Sequence, residues 1–348
     1  MARMSSGKKR SQMINITGSK KAKEEVAVIL SCDLNINAGN SHGDKNMIIN
    51  QTFDTERALY HLTNTEITGC HFAGSQDGES VLKEASNITL TDCDFSLRYP
   101  MWHVKAFELI NSRMDDKARA PIWYAEKGTI ADCTINSTKC LRECSNIQII
   151  DSNIASLEFG WKCQNLRIEN TSIESEYFLL DSRNIEISHL NMKGKYSFQY
   201  VENLTISDSN LDTKDAFWHS TNVTVRNSVI KGEYLGWFSD GLTLIDCRII
   251  GTQPLCYCKN LKLINCIMEE TDLAFEYSDV EAKIHGHVLS IKNPKSGTIV
   301  LDSVGEIIFE DAVMVCSGKV LIREVPLQRE IATQPAEDES CQVTPAAA

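Results

Sequence analysis

Nowhere in the 348 residues does an apolar run approach the ~18–20 residues of a membrane span. The apolar stretch nearest the basic start, Val26-Ala-Val-Ile-Leu30 behind Lys8-Lys-Arg10, is too short for the core of a secretory signal. A cytoplasmic protein is therefore expected, with its thirteen cysteines mostly reduced. Walker and dinucleotide motifs are missing. The eight histidines show no metal spacing, and Cys256-Tyr-Cys258 has no second pair to complete a zinc site. Neither a metal nor a cofactor is expected. Positive charge is scarce as well. Net charge is −12, and residues 46–323 alone carry −12, because the basic first 45 residues (+4) offset the acidic last 25 (−4). An acidic body is a poor match for nucleic-acid phosphate, so nucleic acid is not an expected partner.

What the sequence does have is a short repeat. Glu202-Asn-Leu-Thr-Ile-Ser-Asp-Ser-Asn-Leu211 returns nineteen residues on as Thr221-Asn-Val-Thr-Val-Arg-Asn-Ser-Val-Ile230, then at Asp240–Ile249 and Lys259–Met268. A unit this short cannot bury its own apolar face and must stack on copies of itself. The first position falls at Asn46, Asn64, Asn87, Ala106, Lys127, Asn146, Asn165, Asn184, Asn203, Asn222, Gly241, Asn260 and Asp279, nine of thirteen being Asn. One and three residues later sit apolar side chains with polar ones between, the alternation of a strand, as in Leu204 and Ile206 around Thr205. Six and eight residues later comes a second strand, small then apolar: Cys93 and Phe95, Ser152 and Ile154, Ser209 and Leu211.

Short strands with no helix to cover them imply an all-β, single-stranded parallel β-helix, right-handed by the general rule for parallel connections. About twelve coils of nineteen residues would make a rod of roughly 58 Å at ~4.8 Å per coil. The Asn column is expected to form an amide ladder at a turn where Asn adopts left-handed backbone. The expected organisation is a flexible extension over 1–45, the β-helix over 46–279, cap strands over 280–323 where the register fails, and a disordered tail over 324–348.

Two coils are overlong: Asn64 to Asn87, through Ala73–Ser80, and Ala106 to Lys127, through Met114–Arg119. Insertions in solenoids tend to mark the binding face. The third segment of each coil carries the uneven chemistry. All five tryptophans (102, 123, 161, 218 and 237) share its fifteenth position, tyrosines including Tyr99 its twelfth, and charges including Glu79, Arg98, Arg119 and Glu233 its eleventh. A face of rings and charges suits an extended glycan; the plainer reading, and the weightier one, is a solvated face of aromatic cover and cross-strand charge pairs. Arg98 and Arg119 recur at one position on adjacent coils, a like-charge stack that needs an anion, whether Glu79 or an anionic ligand. A glycosidase needs two carboxyls ~5–5.5 or ~6.5–9.5 Å apart. Glu176 and Glu233 are three coils apart, and Asp215 and Glu233 are out of step by one position, so they point to opposite faces. The ligand-binding candidates are Asp77, Glu79, Arg98, Tyr99, Trp102, Arg119 and Trp123.

Glu56-Arg-Ala-Leu-Tyr60, Tyr99-Pro-Met-Trp102, Ala118-Arg-Ala-Pro-Ile-Trp-Tyr124, Lys214-Asp-Ala-Phe-Trp218, Gly232-Glu-Tyr-Leu-Gly-Trp237 and Asn293-Pro-Lys-Ser-Gly297 resemble domain-of-unknown-function family 3737. That family is mostly bacterial and belongs to the pectin-lyase-like β-helix superfamily. The resemblance covers roughly 47–310 and implies the β-helix fold without an established reaction. Lyases of the superfamily use clustered Asp ligands for calcium and a basic residue, and no such cluster matches here. The expected function is a non-enzymatic binding or scaffold module with an aromatic and charged face for a glycan or an anionic small ligand. A carbohydrate-active enzyme and a self-associating rod are the alternatives.

Overall fold

The computed structural model describes residues 45–74 and 78–323. The expected N-terminal extension up to residue 44, the C-terminal tail and Asp77 lie outside them. The described chain is a parallel β-solenoid of about fourteen turns with a period near nineteen residues and no helix. No described helix is long and apolar enough to cross a membrane.

The columns read from the repeat are the strand registers. On the first face Ile149, Ile168, Ile187, Ile206 and Val225 pair rung to rung in parallel strands. On the second, Phe72 pairs with Phe95, Ile135 with Ile154, and Met192 with Leu211. All point inward and are buried. The small sixth position has a cause. Its side chain lies in a tight turn, where Ser112, Ser152, Ser209 and Ser228 accept a backbone N–H from the coil before, as from Cys93 to Ser112 at 3.0 Å.

The Asn column is the expected ladder. Asn165, Asn184, Asn203 and Asn222 each donate a side-chain N–H to the preceding Asn at 2.7–3.1 Å. All have φ between 54° and 57°, the left-handed region that Asn tolerates. A second ladder stands at the next corner, where Asn111, Asn227 and Asn265 donate to Asp92, Asp208 and Asp246 at 2.5 Å. The Asn227 bond draws the Asp208 carboxyl below its usual range.

Two expectations are corrected. Asn46 pairs with Thr65, so Lys45 and not Asn46 stands at the first register. The solenoid has about fourteen turns rather than twelve. The extra turns come from the segment read as a cap: Asp279–His285 pairs in parallel with Ser296–Leu301, which pairs in parallel with Lys319–Ile322. Coils of irregular length keep their rungs in line there, so the sequence loses its period while the stack continues.

The third side is built differently. Leu82, Met101, Ile122, Leu141, Leu179, Phe198, Phe217 and Leu255 form one column with φ between 55° and 62°, although all but Gly and Asn normally avoid it. Each is buried in the core. On most of these coils the residues two before and two after, such as Tyr99 and His103, share the left-handed φ but donate their N–H to the next coil, whereas Met101 donates to the previous one. The backbone is satisfied in both directions; the residue before each, such as Val81, Ser197 or Ala216, is also buried, and the residue after, such as Trp102 or Trp218, is half-exposed.

Candidate functional site

The outward side chains of the third side form one strip. Trp102 and Trp123 are 5.1 Å apart and parallel to 4°, as are Trp218 and Trp237 at 5.4 Å. Each indole N–H is spent on a backbone carbonyl of the following coil: Ala120, Lys139, Tyr177, Tyr234 and Gln253 accept at 2.7–3.1 Å. These bonds fix the rings, which are half-buried. Parallel rings whose centres are this close cannot lie side by side as tiles, because their atoms would overlap. They stand face to face along the stack and show their edges to solvent.

Of the seven candidates, five come together. Glu79 pairs with Arg98 at 3.2 Å across neighbouring strands, so the anion required by the stacked arginines is Glu79 for Arg98. Arg98 also lies over Tyr99 at 5.7 Å, and Tyr99 packs on Trp102 at 5.3 Å, which leads to Trp123. Arg119 sits on the next coil, where its carbonyl accepts the Tyr99 N–H at 2.9 Å. Its side chain is exposed and makes none of the ion pairs among the described residues. The insertion Met114–Arg119 borders a shallow groove of about 430 Å³ lined by Asp116, Asn136, Thr138, Leu157, Glu174 and Glu176.

Sequence reasoning missed two features of the strip. Arg142 fills the place of a tryptophan in the fifteenth-position column, with its guanidinium 4.9 Å from both Trp123 and Trp161. Glu158 holds it at 3.8 Å and Lys139 at 3.0 Å. Beside the indoles runs a second ring column: Tyr200, His219, Phe238 and Tyr257 stack at 4.8–5.0 Å, and His103 on Tyr124 at 4.8 Å. The signal was the residue after four of the five Trp, where His103, Tyr124, His219 and Phe238 stand, Lys162 following Trp161.

Charges along the strip are mostly matched. Lys195 reaches Glu176 at 3.8 Å, and Lys214 reaches Glu233 at 2.7 Å, a bond that raises the Lys214 ammonium pKa. Asp215 is buried and Glu233 exposed, as their one-step offset requires. Burial pushes the Asp215 carboxyl up; Lys214 and Lys195 draw it back, and Glu233 pushes it further. Among the described residues no group of three or more His, Cys, Asp or Glu could hold a metal ion. The cysteines on the inner columns are free, and burial pushes Cys93 and Cys258 up to about 11.

The fold and its strip define the class: a parallel β-solenoid with an edge-on aromatic ladder and matched charges along one side. Within that class the chain belongs to the family described as a protein of unknown function, DUF3737, whose model matches residues 46–322. No curated protein matches the sequence. Among solved structures it is similar to the tailspike protein of E. coli bacteriophage HK620 in complex with hexasaccharide, at 6% identity and TM-score 0.37 over 80% of this chain and 71% of that one. It is also similar to the Streptococcus pneumoniae adhesin PfbA (9%, 0.34, 81% and 92%). The third is the Azotobacter vinelandii mannuronan C-5 epimerase AlgE6 A-module (11%, 0.27, 81% and 92%). These likenesses are distant, and none bears on ligand or chemistry.

Proposed function

We propose that this protein is a non-enzymatic binding module whose third side recognises an extended glycan. The observation that carries the reading is the fixed strip itself, in which half-exposed rings repeat at 4.8–5.4 Å beside a row of charged side chains. A polyhydroxylated chain offers hydroxyl oxygens for the positive ring edges and hydroxyls for the charges. Glu79, Glu158, Glu176 and Glu233 are each held by an Arg or Lys, which suits hydrogen bonding to hydroxyls more than proton transfer. A cytoplasmic location belongs to the same proposal. A glycan array read for binding, with a turnover screen beside it, tests the reading on wild type and on Trp102→Ala/Trp123→Ala. Binding without product, lost in the double variant, supports it. Product formation would replace it with a carbohydrate-active enzyme, and silence in both assays with a structural rod.

A further inference from the structure

Sugars stack on ring faces rather than ring edges. Along most of this strip each face is covered by the next ring, so open faces occur only where a column is interrupted. The twelfth-position column has such a break. Tyr177 and Tyr196 stack at 5.0 Å, Asp215 follows, and Tyr234 comes next. The backbone does not change across the break. Tyr196, Asp215 and Tyr234 all have left-handed φ (39°, 53° and 57°), and all donate their N–H to the next coil at 2.9–3.1 Å. Only the ring is missing.

We propose that the gap at Asp215 is a subsite for a single pyranose ring of a glycan, held between Tyr196 and Tyr234 with the Asp215 carboxylate as its floor. The proposal rests on the glycan reading of the strip. Two rungs separate the tyrosines by ~9.6 Å, so a ring midway lies ~4.8 Å from each centroid, inside the ~4.5–7 Å range of ring packing. Asp215 is only 6% exposed, and among the described residues its carboxyl takes part in no hydrogen bond or ion pair. It is therefore free to accept hydroxyls. At the mouth, Lys214 lies 5.2 Å from the Tyr234 ring centre and 2.7 Å from Glu233. An entering sugar would displace this ammonium from the ring face while it stays paired with Glu233, and gain it as a donor. Lys195 stands beside Lys214 across the strands, and with Glu176 and Glu233 pairing both, the rim is charge-matched and offers ammonium donors to hydroxyls.

Asp215→Tyr tests the proposal, because both neighbours show that Tyr fits this backbone. The expected variant has a continuous ring column, a higher Tm than wild type, and at least ~10-fold weaker binding of whichever of cellohexaose, maltohexaose or hexagalacturonate wild type retains by tryptophan-fluorescence titration. Tyr234→Ala, which removes one wall, is expected to weaken the same binding by ~10-fold whatever the fate of the first variant. A lowered Tm in Asp215→Tyr, showing Asp215 to be a structural counter-charge, would overturn the subsite. Unchanged binding in either variant would overturn it and leave the reading of the strip intact. Failure of wild type to bind all three hexasaccharides would overturn both.

Discussion

The guanidinium of Arg142 lies 4.9 Å from the centre of the Trp123 ring and, on its other side, at the same distance from Trp161. Arginine serves here as a rung of the ladder, since its planar cation can cover two ring faces at once. Each contact is worth ~0.5–1 kcal/mol at a partly exposed site. Arg142→Ala is expected to lose about 1–2 kcal/mol in urea unfolding followed by tryptophan emission. Arg142→Lys should recover less than half of that, because an ammonium cannot lie flat on two faces. Arg142→Trp should recover most of it by extending the stack, and a loss equal to that of Ala would show that the column does not stabilise the rod.

Inside the solenoid the limiting contact is between Phe107 and Gly128, which pair on adjacent rungs. A Cβ on Gly128 would stand 2.0 Å from the Phe107 ring. The ring thus occupies the space of two rungs. Gly128→Ala is expected to cost ~1–3 kcal/mol by overpacking. Combined with Phe107→Leu the cost should shrink, giving a favourable interaction energy in a double-mutant cycle of urea midpoints. An additive cycle would mean that backbone shifts, not the ring, take up the methyl.

Much of this architecture was legible because a stacked fold writes each column into the sequence at a constant step. Ile168, Ile187 and Ile206 gave the core, and Asn165, Asn184 and Asn203 the ladder. The step fails where coil length varies while the rungs stay aligned, which is why the turns through Ser296–Leu301 and Lys319–Ile322 were read as a cap. The third side was opaque for another reason. Met101, Ile122 and Phe198 in left-handed backbone contradict local preference and are held there by burial and by hydrogen bonds to the previous coil. A column also shows that tryptophans align but not that they stand edge-on. Arg142 was missed, and Asp215 was weighed only as half of a carboxyl pair, because a break in a column carries no motif of its own.

The Asn ladder gives a test that separates backbone from side chain. Asn184 has φ 56°, donates to Asn165 at 3.0 Å and accepts from Asn203 at 3.1 Å. Asn184→Gly and Asn184→Ala remove the same two bonds. Ala also takes on the left-handed strain of ~1–2 kcal/mol, partly offset by the ~0.5–1 kcal/mol that Gly loses in ordering. Ala is therefore expected to be the less stable variant by roughly 0.5–1 kcal/mol in chemical denaturation. Equal losses would assign the whole effect to the amides.

Asp215 makes a prediction about pH whose sign follows from its surroundings. Burial raises its folded pKa above the ordinary carboxylate value, and Glu233 adds to this, against the pull of Lys214 and Lys195. The folded protein therefore holds this proton more tightly than the unfolded chain does. The stabilisation from the proton is complete below the unfolded value and is lost as pH rises through the raised folded value. Asp215→Asn keeps the size and has no proton to lose. Its stability relative to wild type should therefore increase as pH climbs from about 3 to about 7, the change falling between the ordinary carboxylate value and the raised one. Urea midpoints of the two proteins at each pH measure it. A difference that stays flat, or runs the other way, would mean that Lys195 and Lys214 outweigh burial and that Asp215 is held as a carboxylate by its neighbours.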